Sequence, residues 1–74
     1  MSHHTVRSEI SGKVWKIEKK VGDTVEAEEP IVILESMKME IPVSSERAGR
    51  VVEILVQEED PVDEDQPVAV IDLR

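Results

Sequence analysis

The sequence predicts an all-β domain: a flattened barrel or sandwich of two four-stranded antiparallel sheets with pseudo-two-fold symmetry. Three observations carry that prediction. The apolar residues are mostly β-branched, the chain divides into short apolar runs, and its two halves repeat at a constant offset. Of 29 apolar residues, 12 are Val and 7 are Ile against 3 Leu, with one Trp and no Phe or Tyr. Branched side chains pack well on a pleated surface and lose rotamer freedom in a helix. No segment sustains the i, i+3, i+4 spacing of an amphipathic helix over three turns.

The elements follow in order. Residues 1–5 are expected as a flexible N-terminal tail and residues 6–73 as one folded domain. The adjacent His3 and His4 lack the further ligands that a metal site needs. Strands are expected near 5–10, 13–20, 24–26, 30–36, 39–45, 49–56, 61–63 and 67–73, separated by Gly, Pro, Asp and Glu. Trp15 is read as a partly buried packing residue in the second strand. Gly22-Asp23 is a turn dipeptide. Gly12 and Gly49 open strands, where a bend or a positive φ is expected. Pro30, Pro42, Pro61 and Pro67 lack an N–H donor, so each belongs at a strand start, a sheet edge or a turn. The acidic runs around 26–29 and 57–66 read as solvated turns.

Residues 12–35 align with residues 49–72 at an offset of 37 without gaps. Identical pairs are Gly12/Gly49, Val14/Val51, Ile17/Ile54, Asp23/Asp60, Val25/Val62 and Pro30/Pro67. Conservative pairs include Lys13/Arg50, Glu28/Asp65, Ile31/Val68, Ile33/Val70, Leu34/Ile71 and Glu35/Asp72. Two copies are too few for a solenoid. Two four-stranded units, each with one apolar face, become stable by covering one another.

Composition narrows the function. The chain has 74 residues and no cysteine, so one small domain is expected, without disulfide, thiolate nucleophile or zinc knuckle. A reducing, cytoplasmic setting is expected. The formal charge of -8 repels phosphate backbones and disfavours nucleic acid. It favours a soluble, monomeric surface. No apolar run approaches the length of a membrane span. No Ser/His/Asp arrangement is present, and catalysis by this chain alone is not expected.

The bridge between the halves breaks the repeat. It reads Ser36-Met37-Lys38-Met39-Glu40-Ile41-Pro42-Val43. A strand, a tight turn and a strand fit this stretch, with the turn near Met37-Lys38. Asn-Gly or Asp-Gly is the default there. Met, Lys and Met at a hairpin tip give up turn propensity and expose two thioethers without helping the fold, which points to function.

Glu35-Ser36-Met37-Lys38-Met39-Glu40 resembles the biotinylation motif of biotin carboxyl carrier domains, whose hallmark is Met-Lys-Met. The related lipoyl domains usually carry Asp-Lys-Ala. The resemblance covers the chain from about Val6 to Leu73, including Gly22-Asp23 and Gly49, and is nearest to the stand-alone biotin/lipoyl attachment proteins of bacteria. Two departures stand out. Glu28, Glu59 and Asp65 occupy turn positions where the family commonly has Gly. The protruding insert and long Ala/Pro-rich arm of some bacterial carriers are missing.

The resemblance implies a barrel-sandwich hybrid fold and a non-catalytic carrier subunit of a multi-component carboxylase. It implies covalent biotin on Lys38, with Met37 and Met39 as flanking recognition residues. Glu35 and Glu40 are further candidates for recognition by the ligase or a partner. A free ε-amine is mostly protonated at neutral pH, so a biotin protein ligase has to remove its proton while presenting biotinyl-AMP. The other implied partners are a biotin carboxylase and a carboxyltransferase acting in acyl-CoA or related metabolism. A lipoyl carrier for 2-oxo acid dehydrogenase-type complexes is the alternative, and the two Met residues weigh against it.

Overall fold

The computed structural model describes residues 2–73. Its elements are all strands: β1 (His3–Arg7), β2 (Gly12–Ile17), β3 (Thr24–Val25), β4 (Pro30–Ser36), β5 (Met39–Ser44), β6 (Gly49–Ile54), β7 (Pro61–Val62) and β8 (Pro67–Leu73). They form two four-stranded antiparallel sheets, ordered β1-β8-β6-β3 and β5-β4-β2-β7. The predicted sandwich is the one observed. No described helix is long and apolar enough to cross a membrane.

The offset of 37 governs the pairing as well as the sequence. In one sheet β2 pairs with β4 through Val14↔Leu34 and Lys16↔Ile33, with a bulge at Trp15. In the other, β6 pairs with β8 through Val51↔Ile71 and Glu53↔Val70, with a bulge at the equivalent Val52. The short strands obey the same rule: Thr24↔Arg50 and Val25↔Gly49 mirror Pro61↔Lys13 and Val62↔Gly12.

The symmetry reaches further than the sequence alignment. Glu35↔Glu40 in β4–β5 corresponds to Asp72↔His3 in β8–β1, and Val32↔Val43 to Ala69↔Val6. β1 is therefore the counterpart of β5. This corrects the expected tail over residues 1–5. His3, His4 and Thr5 pair with Asp72, Ile71 and Val70, because β8 has to be hydrogen-bonded on this side just as β4 is by β5. Met1 lies outside the described residues. Among those residues, no cluster of three metal-binding side chains includes His3 or His4.

The core shows the same duplication. The buried apolar side chains among the described residues are six pairs at this offset plus Val56. The pairs are Val6/Val43, Val14/Val51, Val25/Val62, Ile31/Val68, Val32/Ala69 and Leu34/Ile71. Each fully buried Val, Leu or Ile contributes roughly 1.5–3 kcal/mol through removal of apolar surface from water. Ser8 and Ser45, also 37 apart, are buried. Each hydroxyl bonds the backbone two residues ahead, at Ile10 and Arg47, so both buried hydroxyls are satisfied as each strand bends away.

Among the described residues, five other than Gly have positive φ: Glu28, Met37, Lys38, Glu59 and Asp65. Glu28 and Asp65 are symmetry mates, and Glu59 is the mate of Gly22, whose φ is 100°. The turns keep the left-handed geometry for which the family uses Gly, and their hydrogen bonds persist. Glu28 N–H donates to Ser45 O at 2.8 Å and Asp65 N–H to Ser8 O at 2.7 Å. Gly12 and Gly49 have no positive φ; close packing accounts for them instead. A Cβ at Gly12 would lie 2.7 Å from the carbonyl oxygen of Glu35. Pro30, Pro61 and Pro67 begin strands and Pro42 lies in the edge strand β5, so no interior ladder bond is lost.

Candidate functional site

The β4–β5 hairpin carries the feature that the repeat does not duplicate. Ser36 pairs with Met39, leaving Met37 and Lys38 as a two-residue connection. Their φ values are 52° and 66°. Positive φ at both central residues matches the right-handed twist of the flanking strands, as in a type I′ turn. Neither Met nor Lys favours this region; each left-handed L-residue costs about 1–2 kcal/mol.

The tip projects beyond the core. Met37 is 92% exposed and Met39 is 63% exposed. Lys38 is exposed as well. Among the described residues the ion pairs are Lys13–Glu59 at 3.2 Å and Lys19–Glu29 at 2.6 Å, and Lys38 is in neither. Its amine is accessible and uncommitted. Two large apolar side chains stand in water beside it, where they contribute nothing to the core.

Glu35 and Glu40 do not flank the amine as a clamp. They oppose each other across β4 and β5, one residue pair below the Ser36↔Met39 closure. Both are exposed. Like charges directly opposite on a sheet are unfavourable. Lys13, paired with Glu35 from β2, puts one positive charge in the same row, although its ammonium is bonded to Glu59.

Trp15 is more exposed than the sequence suggests, at 42%, because it occupies the bulge where β2 loses register with β4. The ammonium of Lys16 lies 5.7 Å from its ring centroid, within cation–π range. One surface groove is bounded by β1, Ser44, Glu46 and the 64–65 turn, and no residue of the Met37–Lys38–Met39 tip lines it. The tip projects from the barrel as an exposed turn. The geometry suits acylation of the lysine by an external enzyme and presentation of the attached group to others.

Comparison with known proteins agrees with this form. The profile of the family described as "Biotin-requiring enzyme" matches residues 4–71. The chain is 45% identical over 60 residues to the biotin/lipoyl attachment protein of Bacillus subtilis, covering 81% of this chain and 82% of that one. It is 40% identical over 67 residues to urea amidolyase of Saccharomyces cerevisiae, covering 90% of this chain and 4% of that protein. The crystal structure of Kluyveromyces lactis urea carboxylase superposes with a TM-score of 0.92 at 38% identity, over 97% of this chain and 6% of the other. In size the chain matches the bacterial attachment protein and a small portion of the large enzymes. By sequence and fold alike, it belongs to the biotin/lipoyl attachment domain family.

Proposed function

We propose that this chain is a biotin carrier, acylated on Lys38 and moving a carboxyl group between a biotin carboxylase and a carboxyltransferase. The observation that carries this reading is an exposed, unpaired lysine at the centre of a left-handed two-residue turn, flanked by two exposed methionines. The similarity to urea amidolyase and urea carboxylase supports biotin over lipoate. The enzyme served is an acyl-CoA, urea or related carboxylase, and the chain acts as a carrier without catalysing either half-reaction.

The residues present fit such a group. The deprotonated Lys38 amine attacks the carbonyl of biotinyl-AMP; the new C–N bond forms as the C–O bond to AMP breaks. The ammonium proton leaves to a base of the ligase. An amide replaces one positive charge, taking the formal net charge from -8 to -9. The attached ring supplies a nitrogen that accepts and releases CO2. The short turn holds the point of attachment still, which lowers the entropic cost of aligning the amine with an activated acyl group. Tethering also raises the effective concentration of the carried group at each partner site.

Met37 and Met39 serve as soft apolar contacts for partners and for the biotin ring, more important for carboxyl transfer than for attachment. Glu35 and Glu40, on the outer face just below the tip, serve in recognition by the ligase or a partner. Intact-mass analysis of protein from its native source tests the reading. The expected result is one biotinyl adduct, lost in Lys38→Arg. A lipoyl adduct, or a biotin signal that persists in Lys38→Arg, overturns it.

A further inference from the structure

We infer that Gly12 is a positioning residue for Lys38: its missing side chain sets where the hairpin tip leaves the barrel. The inference rests on the reading of Lys38 as the acylated residue. Gly12 sits beside Lys13, which pairs with Glu35 near the end of β4. A Cβ at Gly12 would lie 2.7 Å from the Glu35 carbonyl oxygen and 3.4 Å from the Ser36 Cβ. The nearer obstacle is backbone and has no rotamer with which to move aside. Any L-residue at position 12 therefore displaces the Glu35–Ser36 backbone or β2 itself.

Ser36 is the residue from which the turn springs, and its pairing with Met39 closes that turn. Only Met37 and Lys38 lie between them, so the connection has no slack to absorb a shift in its stem. Displacement at Glu35–Ser36 is carried into the position and direction of Lys38. Backbone conformation gives no competing reason for glycine here, because Gly12 has no positive φ.

The repeat supplies an internal control. A Cβ at Gly49 would make the equivalent close approach to the Asp72 carbonyl oxygen and lie 3.4 Å from the Leu73 Cα. That stem belongs to β8 and not to the β4–β5 hairpin that carries Lys38. Alanine at Gly49 thus imposes the same kind of strain on the barrel while leaving the Met37–Lys38 turn in place.

The experiment compares Gly12→Ala with Gly49→Ala, both in a Glu28→Gly/Asp65→Gly background that relieves two left-handed residues and keeps the strained variants folded. A biotin protein ligase with biotin and ATP acylates each variant under initial-rate conditions, with foldedness followed by amide NMR. Gly12→Ala is expected to lose about tenfold or more in kcat with KM changed less than about twofold, since small misplacements of a reacting group are costly. Gly49→Ala is expected to stay within about twofold of the background. The amide resonances of Met37, Lys38 and Met39 should move in the first variant and not in the second. Background-level acylation of Gly12→Ala, or equal losses in both variants, overturns the positioning role. Failure of the wild-type chain to be acylated overturns the carrier reading and this inference with it.

Discussion

Replacing Met37 by Asn should make the domain more stable and a worse carrier. Met37 has φ 52° and is 92% exposed, so its truncation removes almost no packing. The left-handed region costs an ordinary L-residue about 1–2 kcal/mol, and Asn visits it routinely. Recovering about 1 kcal/mol would raise the melting temperature by about 4–8 °C in a domain of this size. On the functional side, a fully buried Met contributes roughly 1.5–3 kcal/mol, so burial of about half this side chain against a carboxylase partner is worth about fourfold to tenfold in rate. The assays are thermal unfolding, ligase-dependent acylation and carboxyl transfer by the biotinylated protein. Melting should rise, acylation should change little, and carboxyl transfer should fall by about fourfold to tenfold. A lower melting temperature would show that Met37 packs in the fold, and unchanged carboxyl transfer would remove its partner role. Stability given up at an exposed apolar residue of the hairpin tip is the mark of a residue kept for interaction.

Two further predictions concern the framework. Glu28→Gly should stabilise by roughly 0.5–1 kcal/mol, because φ 68° suits Gly better even after its greater freedom in the unfolded chain is counted; Gly22→Ala should destabilise through backbone strain alone, since a Cβ there meets nothing within 4 Å. Urea unfolding measures both. The Lys19–Glu29 pair predicts a pH dependence. Hydrogen bonding to Lys19, and then to the Glu26 N–H, lowers the pKa of Glu29; hydrogen bonding to Glu29 raises that of Lys19. The stabilisation from Glu29 is present above its unfolded value and is lost as pH falls through the lowered one. That from Lys19 is present below its unfolded value and is lost as pH rises through the raised one. The stability gap between wild type and Glu29→Gln should thus be widest near neutral pH and close in both acid and alkali; a gap independent of pH would sink the assignment.

Much of the fold is legible in the sequence because it is written twice. Val/Ile alternation marks the strands, and the offset of 37 identifies the partner of each residue. The hairpin is legible because Met37 and Lys38 contradict both the repeat and the ordinary chemistry of turns. The first strand is less so. His3/Glu40 and Thr5/Pro42 are dissimilar, and they hide the three matches Val6/Val43, Ser8/Ser45 and Glu9/Glu46 that extend the repeat. Strand β1 is specified mainly by the open side of β8, which exists only after the sheets assemble. The turns at Glu28, Glu59 and Asp65 are similar cases. Local preference does not announce a left-handed Glu, and hydrogen bonds across the molecule hold each backbone there.

The sequence by itself determined the strand content, the doubled framework and the single lysine set apart from it, because these depend on side-chain type and spacing along the chain. Only the tertiary structure decided that His3–Thr5 belong to a strand, that Glu35 faces Glu40, and that Gly12 is required by its approach to Glu35. Those facts arise from contacts between segments distant in the chain, where register and backbone proximity come from packing the two sheets together.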